Sequence, residues 1–454
     1  MKITKIELKD FHQFKDLTID LTYPNGHDKE GQPLDKVCFI GQSGTGKTTL
    51  LELIPKFLFN YDTSLVENSS AQALTKNIKF SICFGYNDEN DGHFVLKEPN
   101  IILRKNLLDK MRLGEKSTLH TQFFGSSQNV DLYNTWISKI ASKLIYLPSN
   151  LNYEIDFDSE GKIDTSEIID FSKNKVSSTW NLILEKVQAY QEQELKIRQE
   201  ISKTVEQASN NLDKIKVALA KLEEWKKNEF NPIRDIADNC LNKLLNPFKL
   251  RVKTEFDFQK KNDIGFIKIE NFDGEEIPNG LWSTGTKQIV LSAMPLYLLK
   301  PKHTIILFDE PERSLYPDLQ RLIIDFYSSL TENCQFFYST HSPIIASSFE
   351  PWEIVELKFD KEGHVYRELY YEGENHIDNY KYNPRYMRWD DILQRIFDME
   401  NDGSILRKEK LDELATYNVK YKKLTKQNKQ ETYEGVSILK EIQKLSKELS
   451  AWEN

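Results

Sequence analysis

Apolar and polar residues alternate through Ile3–Leu8 and again through Leu17–Leu21, the period-two pattern of half-buried strands. Tyr23–Leu34, which follows, holds Pro24, Gly26, Gly31 and Pro33, and that density of breakers predicts a loop. Lys36–Ile40 is a short apolar run that reads as a buried strand, and Thr48–Phe59 reads as a helix. Two more strand-like runs lie within Ile78–Arg104, broken at Asn87–Gly92. Leu144–Leu147 is a further buried strand, stopped by Pro148.

The middle of the chain has a different period. No Gly or Pro occurs between Gly161 and Pro232, and most residues there are good helix formers. Val205, Ala208, Leu212, Ile215, Leu219 and Leu222 step by three and four, a heptad seam. Two readings stay open: a long amphipathic helix packed on the globular body, or a coiled-coil arm or short hairpin turning at Ser209-Asn210-Asn211. After Pro232 strands are expected to return, at Phe248–Phe258 and Ile264–Ile269. Then come a loop into a helix at Trp282–Leu299, a strand at His303–Phe308, a helix at Pro317–Ser329 and a strand at Gln335–Tyr338. From Asn375 onward the pattern is helical. Ile392, Leu393 and Phe397 form one apolar face, Leu411, Leu414, Tyr421 and Leu424 a second, and Ile438, Ile442, Leu445 and Leu449 a third.

Composition narrows the class. The 454 residues carry a net charge of −9, so this is no globally basic nucleic-acid coat, although residues 405–454 hold 11 Lys or Arg against 8 Asp or Glu. No apolar run approaches the roughly 18 residues of a membrane span, and the first residues lack a signal-peptide core, so no membrane role is expected. Cys38, Cys83, Cys240 and Cys334 are too scattered for a disulfide framework or a Cys-x-x-Cys zinc site, and a reducing cytoplasm is the expected compartment.

Chemistry concentrates in two places. Gly41-Gln42-Ser43-Gly44-Thr45-Gly46-Lys47-Thr48, followed by Thr49, fits G-x-x-x-x-G-K-[ST] between a buried strand and a helix. Such a loop curls backbone N–H groups around phosphates at a helix N-terminus. Lys47 is expected to reach the β- and γ-phosphates of ATP, and Thr48 to hold Mg²⁺. Far along the chain, Thr304–Phe308 is an apolar strand ending in Asp309 and Glu310. Ligands of parallel sheets lie beyond the carboxyl ends of strands, so Asp309 is expected beside Thr48 on Mg²⁺, with Glu310 taking a proton from attacking water.

The run from Leu307-Phe308-Asp309-Glu310-Pro311-Glu312 through Leu315-Tyr316-Pro317 to Gln320 resembles the D-E-P-E…L-H-P…Q pattern of ABC-type ATPases of the SMC and RecF group. Ser339-Thr340-His341-Ser342-Pro343 resembles that group's switch-histidine loop. Trp282-Ser283-Thr284-Gly285-Thr286-Lys287-Gln288 resembles its signature motif, and Ile6–Phe14 its first-strand pattern. The sequence departs from the pattern at Trp282, Thr284 and Tyr316; Gln122 and Gln128 are weak candidates for the glutamine loop. The resemblance implies an α/β fold, a P-loop ABC/SMC-like ATPase head with a helical, short coiled-coil insert and a helical C-terminal region. Its parts would be lobe I at 1–175, the insert at 176–232, lobe II at 233–374 and the helical region at 375–454. It also implies a head-to-tail homodimer, or a higher oligomer built from dimers. There Ser283, Thr284 and Gly285 of one subunit touch the γ-phosphate held by the other, and His341 senses that phosphate.

Compact relatives of this size resemble the AAA-type P-loop ATPases of Septu, PARIS and retron-linked antiviral systems, which act with a separate nuclease. An ATP-dependent switch of a partner nuclease or of DNA engagement is therefore the leading expectation. A RecF-like repair clamp and a nucleotide-held scaffold are the alternatives. Arg388–Phe397 weakly resembles a motif common in the tails of such defence ATPases. Tyr371-Glu372-Gly373-Glu374 faintly resembles the start of a Toprim nuclease, but no D-x-D follows, so no intrinsic nuclease is expected.

Overall fold

The computed structural model describes residues 2–59, 78–83, 144–151, 168–172, 179–207, 212–255, 267–369, 380, 382–399 and 403–449. They divide into two compact units, Met1–Tyr386 and Met387–Asn454.

The first unit is built on a mixed ten-stranded sheet with the order β4-β1-β2-β13-β12-β3-β11-β10-β5-β6. Its strands are β1 (Lys2–Phe11), β2 (Phe14–Asp20), β3 (Lys36–Gly41), β4 (Ile78–Cys83), β5 (Leu144–Leu147) and β6 (Ile168–Asp170) from the first part of the chain. The rest are β10 (Ile305–Asp309), β11 (Gln335–Ser339), β12 (Ile354–Phe359) and β13 (Val365–Arg367). A small antiparallel sheet holds β7 (Leu250–Val252), β8 (Ile269–Asn271) and β9 (Glu276–Ile277).

From β12 across to β6 all neighbours are parallel. Every residue of β5, β10 and β11 is buried, which is why these strands read as unbroken apolar runs. One face of the sheet is covered by α1 (Lys47–Phe59), whose Leu50, Leu51 and Ile54 join Ile305, Leu307 and Phe337 in the core. Phe308 leaves the sheet on its other side and stacks on Tyr327 at 4.6 Å; the Tyr327 hydroxyl in turn bonds Ser292 at 2.6 Å. In β1 the buried residues Ile3, Ile6 and Leu8 do not share one parity. A bulge between Ile3 and Lys5 turns both halves inward, which strict alternation cannot do.

The middle segment is a hairpin of two helices, α2 (Asn181–Gln207) and α3 (Leu212–Asn228). Tyr190 stacks on Trp225 at 4.9 Å, and Lys226 pairs with buried Glu194 at 3.4 Å; the first half of α2 thus meets the last turns of α3, as in an antiparallel pair. The expected seam from Val205 to Leu222 is therefore not one stripe. It crosses from one helix to the other, and Leu212 and Leu219 remain exposed while Leu222 is buried. Pro232 does not begin a strand region. It is the first residue of a helical run from Pro232 to Leu245, capped by the Asn231 side chain, which accepts from Ile233 N and Arg234 N. The two strands expected after it are shorter or displaced, at Leu250–Val252 and Ile269–Asn271.

The remaining helices of this unit are α4 (Thr284–Leu299), α5 (Pro317–Ser329) and the short α6 (Pro343–Ala346). The second unit holds α7 (Trp389–Arg395), α8 (Ile405–Lys426) and α9 (Tyr433–Leu449). Ile392 and Ile396 are its deepest residues near α7, with Leu393 and Phe397 half-buried beside them. Lys410 pairs with Glu448, so α8 and α9 also form an antiparallel hairpin. No helix of the described residues is long and apolar enough to cross a membrane.

Candidate nucleotide site

The carboxyl ends of β3, β11 and β10 lie side by side, because Phe39 pairs with Ser339 and Ser339 with Asp309. Three loops that are distant in sequence therefore meet at one edge: Gly41–Thr48, Glu310–Tyr316 and Thr340–Ser342.

In the first loop Gly44 and Gly46 take φ of +87° and +84°, conformations that open the backbone N–H groups into a concave turn. Gly46 is also pressed from behind. A Cβ there would lie 2.4 Å from Gln13 Nε2 and 2.6 Å from the Phe14 ring, so the β1–β2 turn braces the loop. The Lys47 ammonium folds back onto the carbonyls of Gly41 at 2.9 Å and Gln42 at 3.0 Å. Burial pushes its pKa down to about 8, against the pull of Asp309, Glu310 and Glu312. It is a cation short of solvent whose hydrogen bonds, among the described residues, go to neutral carbonyls, and a phosphate is a natural partner for it.

The Thr48 hydroxyl lies 3.1 Å from both carboxyl oxygens of Asp309. Asp309 is nearly inaccessible. Burial raises its pKa despite bonds from Ser339 and Thr48, and Glu310 and Glu52 add to the rise. A hydroxyl and a carboxylate whose charge is unfavourable as it stands suit a hard divalent cation such as Mg²⁺. Glu310, next in line, has φ +48°, a left-handed conformation costing a non-glycine residue about 1–3 kcal/mol. Its N–H donates to Ser339 O at 2.8 Å, so the strained turn is pinned by the neighbouring strand.

His341 projects at the same edge. Burial lowers its pKa, Lys47 lowers it further and Glu310 opposes them, which leaves the imidazole neutral at pH 7. Its backbone N–H donates to Glu312 Oε1 at 3.0 Å. Tyr146, on β5 beside β10, was not singled out from the sequence. Burial, then Asp309, Glu52 and Asp170, hold its hydroxyl pKa well above the usual range. Only its strand was readable.

Ser283, Thr284 and Gly285 lie at the start of α4, against Ser314 of the Glu310–Tyr316 loop, and among the described residues none of them bonds to Gly41–Thr48. The Ser283 hydroxyl caps the helix, accepting from Thr286 N at 3.1 Å, and Trp282 is a buried support whose indole N–H donates to Ile277 O at 2.9 Å. Gly285 packs so tightly on Ser314 that a Cβ would lie 2.6 Å from its carbonyl oxygen. Ser283 and Thr284 are exposed. Gln122, Gln128 and Tyr371–Glu374 lie outside the described residues.

Similar solved structures include an Smc head bound to the C-winged helix domain of ScpA, at 14% identity over 81% of this chain and 97% of that one, with a TM-score of 0.40. Another is a Pyrococcus furiosus Smc head with an extended coiled coil, bound to the C-terminal domain of ScpA (15%, 81% and 95%, TM-score 0.34). A third is the SMC head domain from Thermotoga maritima (12%, 81% and 98%, TM-score 0.35). No curated protein sequence matches the chain. A glycine-rich loop, a strand-end acid pair and a histidine thus meet at one sheet edge, and residues 1–346 match the AAA ATPase domain family: the chain belongs to this family of ATPases.

Proposed function

We propose that the chain is an ATPase of the SMC and RecF type. It hydrolyses Mg-ATP between two copies arranged head to tail, and closure of that dimer switches a separate nuclease or other effector, or DNA engagement, in antiphage defence. The observation that carries this reading is the split between the two anion cradles. Gly41–Thr48, Asp309, Glu310 and His341 share one edge, whereas among the described residues the exposed Ser283 hydroxyl bonds within its own helix cap. A cradle exposed on its own chain fits use by a second copy.

In this scheme the backbone of Gly41–Thr49 and the Lys47 ammonium bind the phosphates, and Thr48 with Asp309 holds Mg²⁺, which when bound offsets phosphate charge. Glu310 accepts a proton from the attacking water, and His341 donates a hydrogen bond to the γ-phosphate. Residues 1–175 and 233–374 serve as the two lobes, 176–232 as the insert and 375–454 as the helical region. The insert hairpin and the C-terminal helices are then the surfaces left for an effector. The buried thiols of Cys38, Cys240 and Cys334 fit a reducing compartment.

Mixing tests the composite site. Lys47→Ala and Ser283→Arg chains are each expected to be inactive alone. A mixed dimer carries one site with both lesions and one with neither, so turnover should partly return. Absence of rescue in heterodimers shown to form would reject shared sites. Plasmid cleavage by the purified chain alone would reject the separate-effector part.

A further inference from the structure

Two residues of the strand-end motif, Glu312 and Gln320, are given no contact with phosphate or metal in the scheme above. Both reach instead to the loop that carries His341. Glu312 Oε1 accepts from the Thr340 hydroxyl at 2.7 Å and from the His341 N–H at 3.0 Å. Gln320 Oε1 accepts from the Ser342 hydroxyl at 2.6 Å, while its amide donates to Leu315 O at 2.8 Å. The loop is thus gripped on both sides of His341.

The grip by Glu312 is made with one oxygen only. Its Oε2 is buried with no hydrogen-bond partner among the described residues. Burial accordingly raises the carboxyl pKa, against the bonds from Thr340 and the His341 N–H. An acid with one oxygen desolvated and unpaired is a poor choice for packing alone, because its desolvation is only half repaid. What the residue does accomplish is geometric. It sits two positions after Glu310, on the loop whose N–H at Glu310 is pinned to Ser339, the residue before Thr340. We infer that Glu312 is a positioning residue: it ties the His341 loop to the Glu310 loop, so that the phosphate-sensing imidazole and the proton acceptor hold one fixed relation. This rests on the roles proposed above for His341 and Glu310. Gln320 and Ser342 form the second, outer tie. Ser342 also caps α6, accepting from Ile344 N and Ile345 N, which stiffens the loop beyond His341.

A kinetic cycle of wild type, Glu312→Ala, His341→Ala and the double variant separates the possibilities. Misplacing the histidine should lower the kcat of Glu312→Ala about 10–10²-fold, with KM for ATP changed less than about threefold. In the His341→Ala background the same substitution should cost less than about twofold, because the group it positions is gone. Glu312→Gln, whose amide oxygen can accept the same two bonds, should restore most of the turnover lost in Glu312→Ala. If the Glu312→Ala loss multiplies in full onto His341→Ala, or if kcat is untouched while only Tm falls, the positioning role is wrong. Should Glu312→Ala fail to fold, Thr340→Val replaces it in the cycle, removing one of the two donors at constant size. Normal turnover by His341→Ala would overturn the histidine's proposed role and this inference together. A slow His341→Ala beside a fully active Glu312→Ala would reject Glu312 alone.

Discussion

At the amino end of the parallel strands, most of the described charges are matched. Asp35 accepts from Lys2, from Lys29 and from the Tyr23 hydroxyl. Although burial works against it, those partners pull its pKa to about 2. Arg385 and Asn383 bind Glu350, and Gln335 links Ile3 N and O to Leu34 O. At the carboxyl end, the same sheet leaves Lys47 on carbonyls with a depressed pKa, Asp309 with a raised one, and Glu310 in a strained turn. The difference separates two uses of buried charge. Ionic groups at one end are completed inside the chain and hold strands together. At the other they are left incomplete, in a form that a phosphate and a cation would complete.

The comparison breaks most sharply at Lys47. Lys47→Ala should weaken ATP binding at least ~10²-fold, the scale of losing a preorganised donor, while Tm without nucleotide stays the same or rises. A large fall in Tm together with intact ATP binding, by calorimetry and thermal scans, would mean that the carboxyl end is structural after all.

The amino end should behave oppositely. Asp35→Asn is expected to lower stability at pH 7 with no change in ATP affinity. Because the folded pKa is depressed, the stabilisation is present above the unfolded value of 3.8 and is lost as pH falls through about 2. With the carboxylate 41% exposed, solvent screening limits the effect to about 1 kcal/mol. Wild type and variant should converge at the acid end of a pH series of thermal scans.

Glu353 sharpens the contrast as a poorly matched acid at the amino end. Burial raises its pKa to about 7 although Lys36 lies 3.5 Å away. A raised carboxyl contributes most below its unfolded value and loses that contribution as pH rises through about 7. Glu353→Gln should therefore gain stability over wild type at pH 8.5 and show no gain at pH 5. Orphaning of Lys36 would hold the gain to roughly 1 kcal/mol. A larger benefit at acid pH would contradict this.

How much of this could be read beforehand depends on sequence separation. The Gly41–Thr48 loop and the strand ending in Asp309 are each contiguous, with hydrophobic run and turn in consecutive residues, so pattern alone placed their strand, loop and helix. The heptad count could not choose between one long helix and a hairpin, because three-and-four spacing runs through both helices without any signal in the period; the two helices bear out the hairpin reading. Pro232 misled in a different way: a breaker in a strand or helix interior is a favoured first residue of a helix when Asn231 precedes it as a cap. The clamp of Glu312 on Thr340 joins residues 28 apart, and the brace of Gln13 on Gly46 joins two elements through a turn. Neither leaves a periodic trace, since the first exists only once β10 and β11 are adjacent and the second only once β2, β13, β12 and β3 are assembled. Glu312 and Gln320 were visible as motif letters, but their chemical work was not.

The central claim is that the carboxyl edge hydrolyses ATP through Glu310. Its most direct test is single-turnover hydrolysis of ATP by Glu310→Gln, with equilibrium ATP binding measured on the same sample. The account predicts binding within a few-fold of wild type and cleavage slower by at least ~10²-fold, the usual scale for loss of a general base. Unchanged cleavage at saturating ATP would contradict it and move the proton acceptor elsewhere.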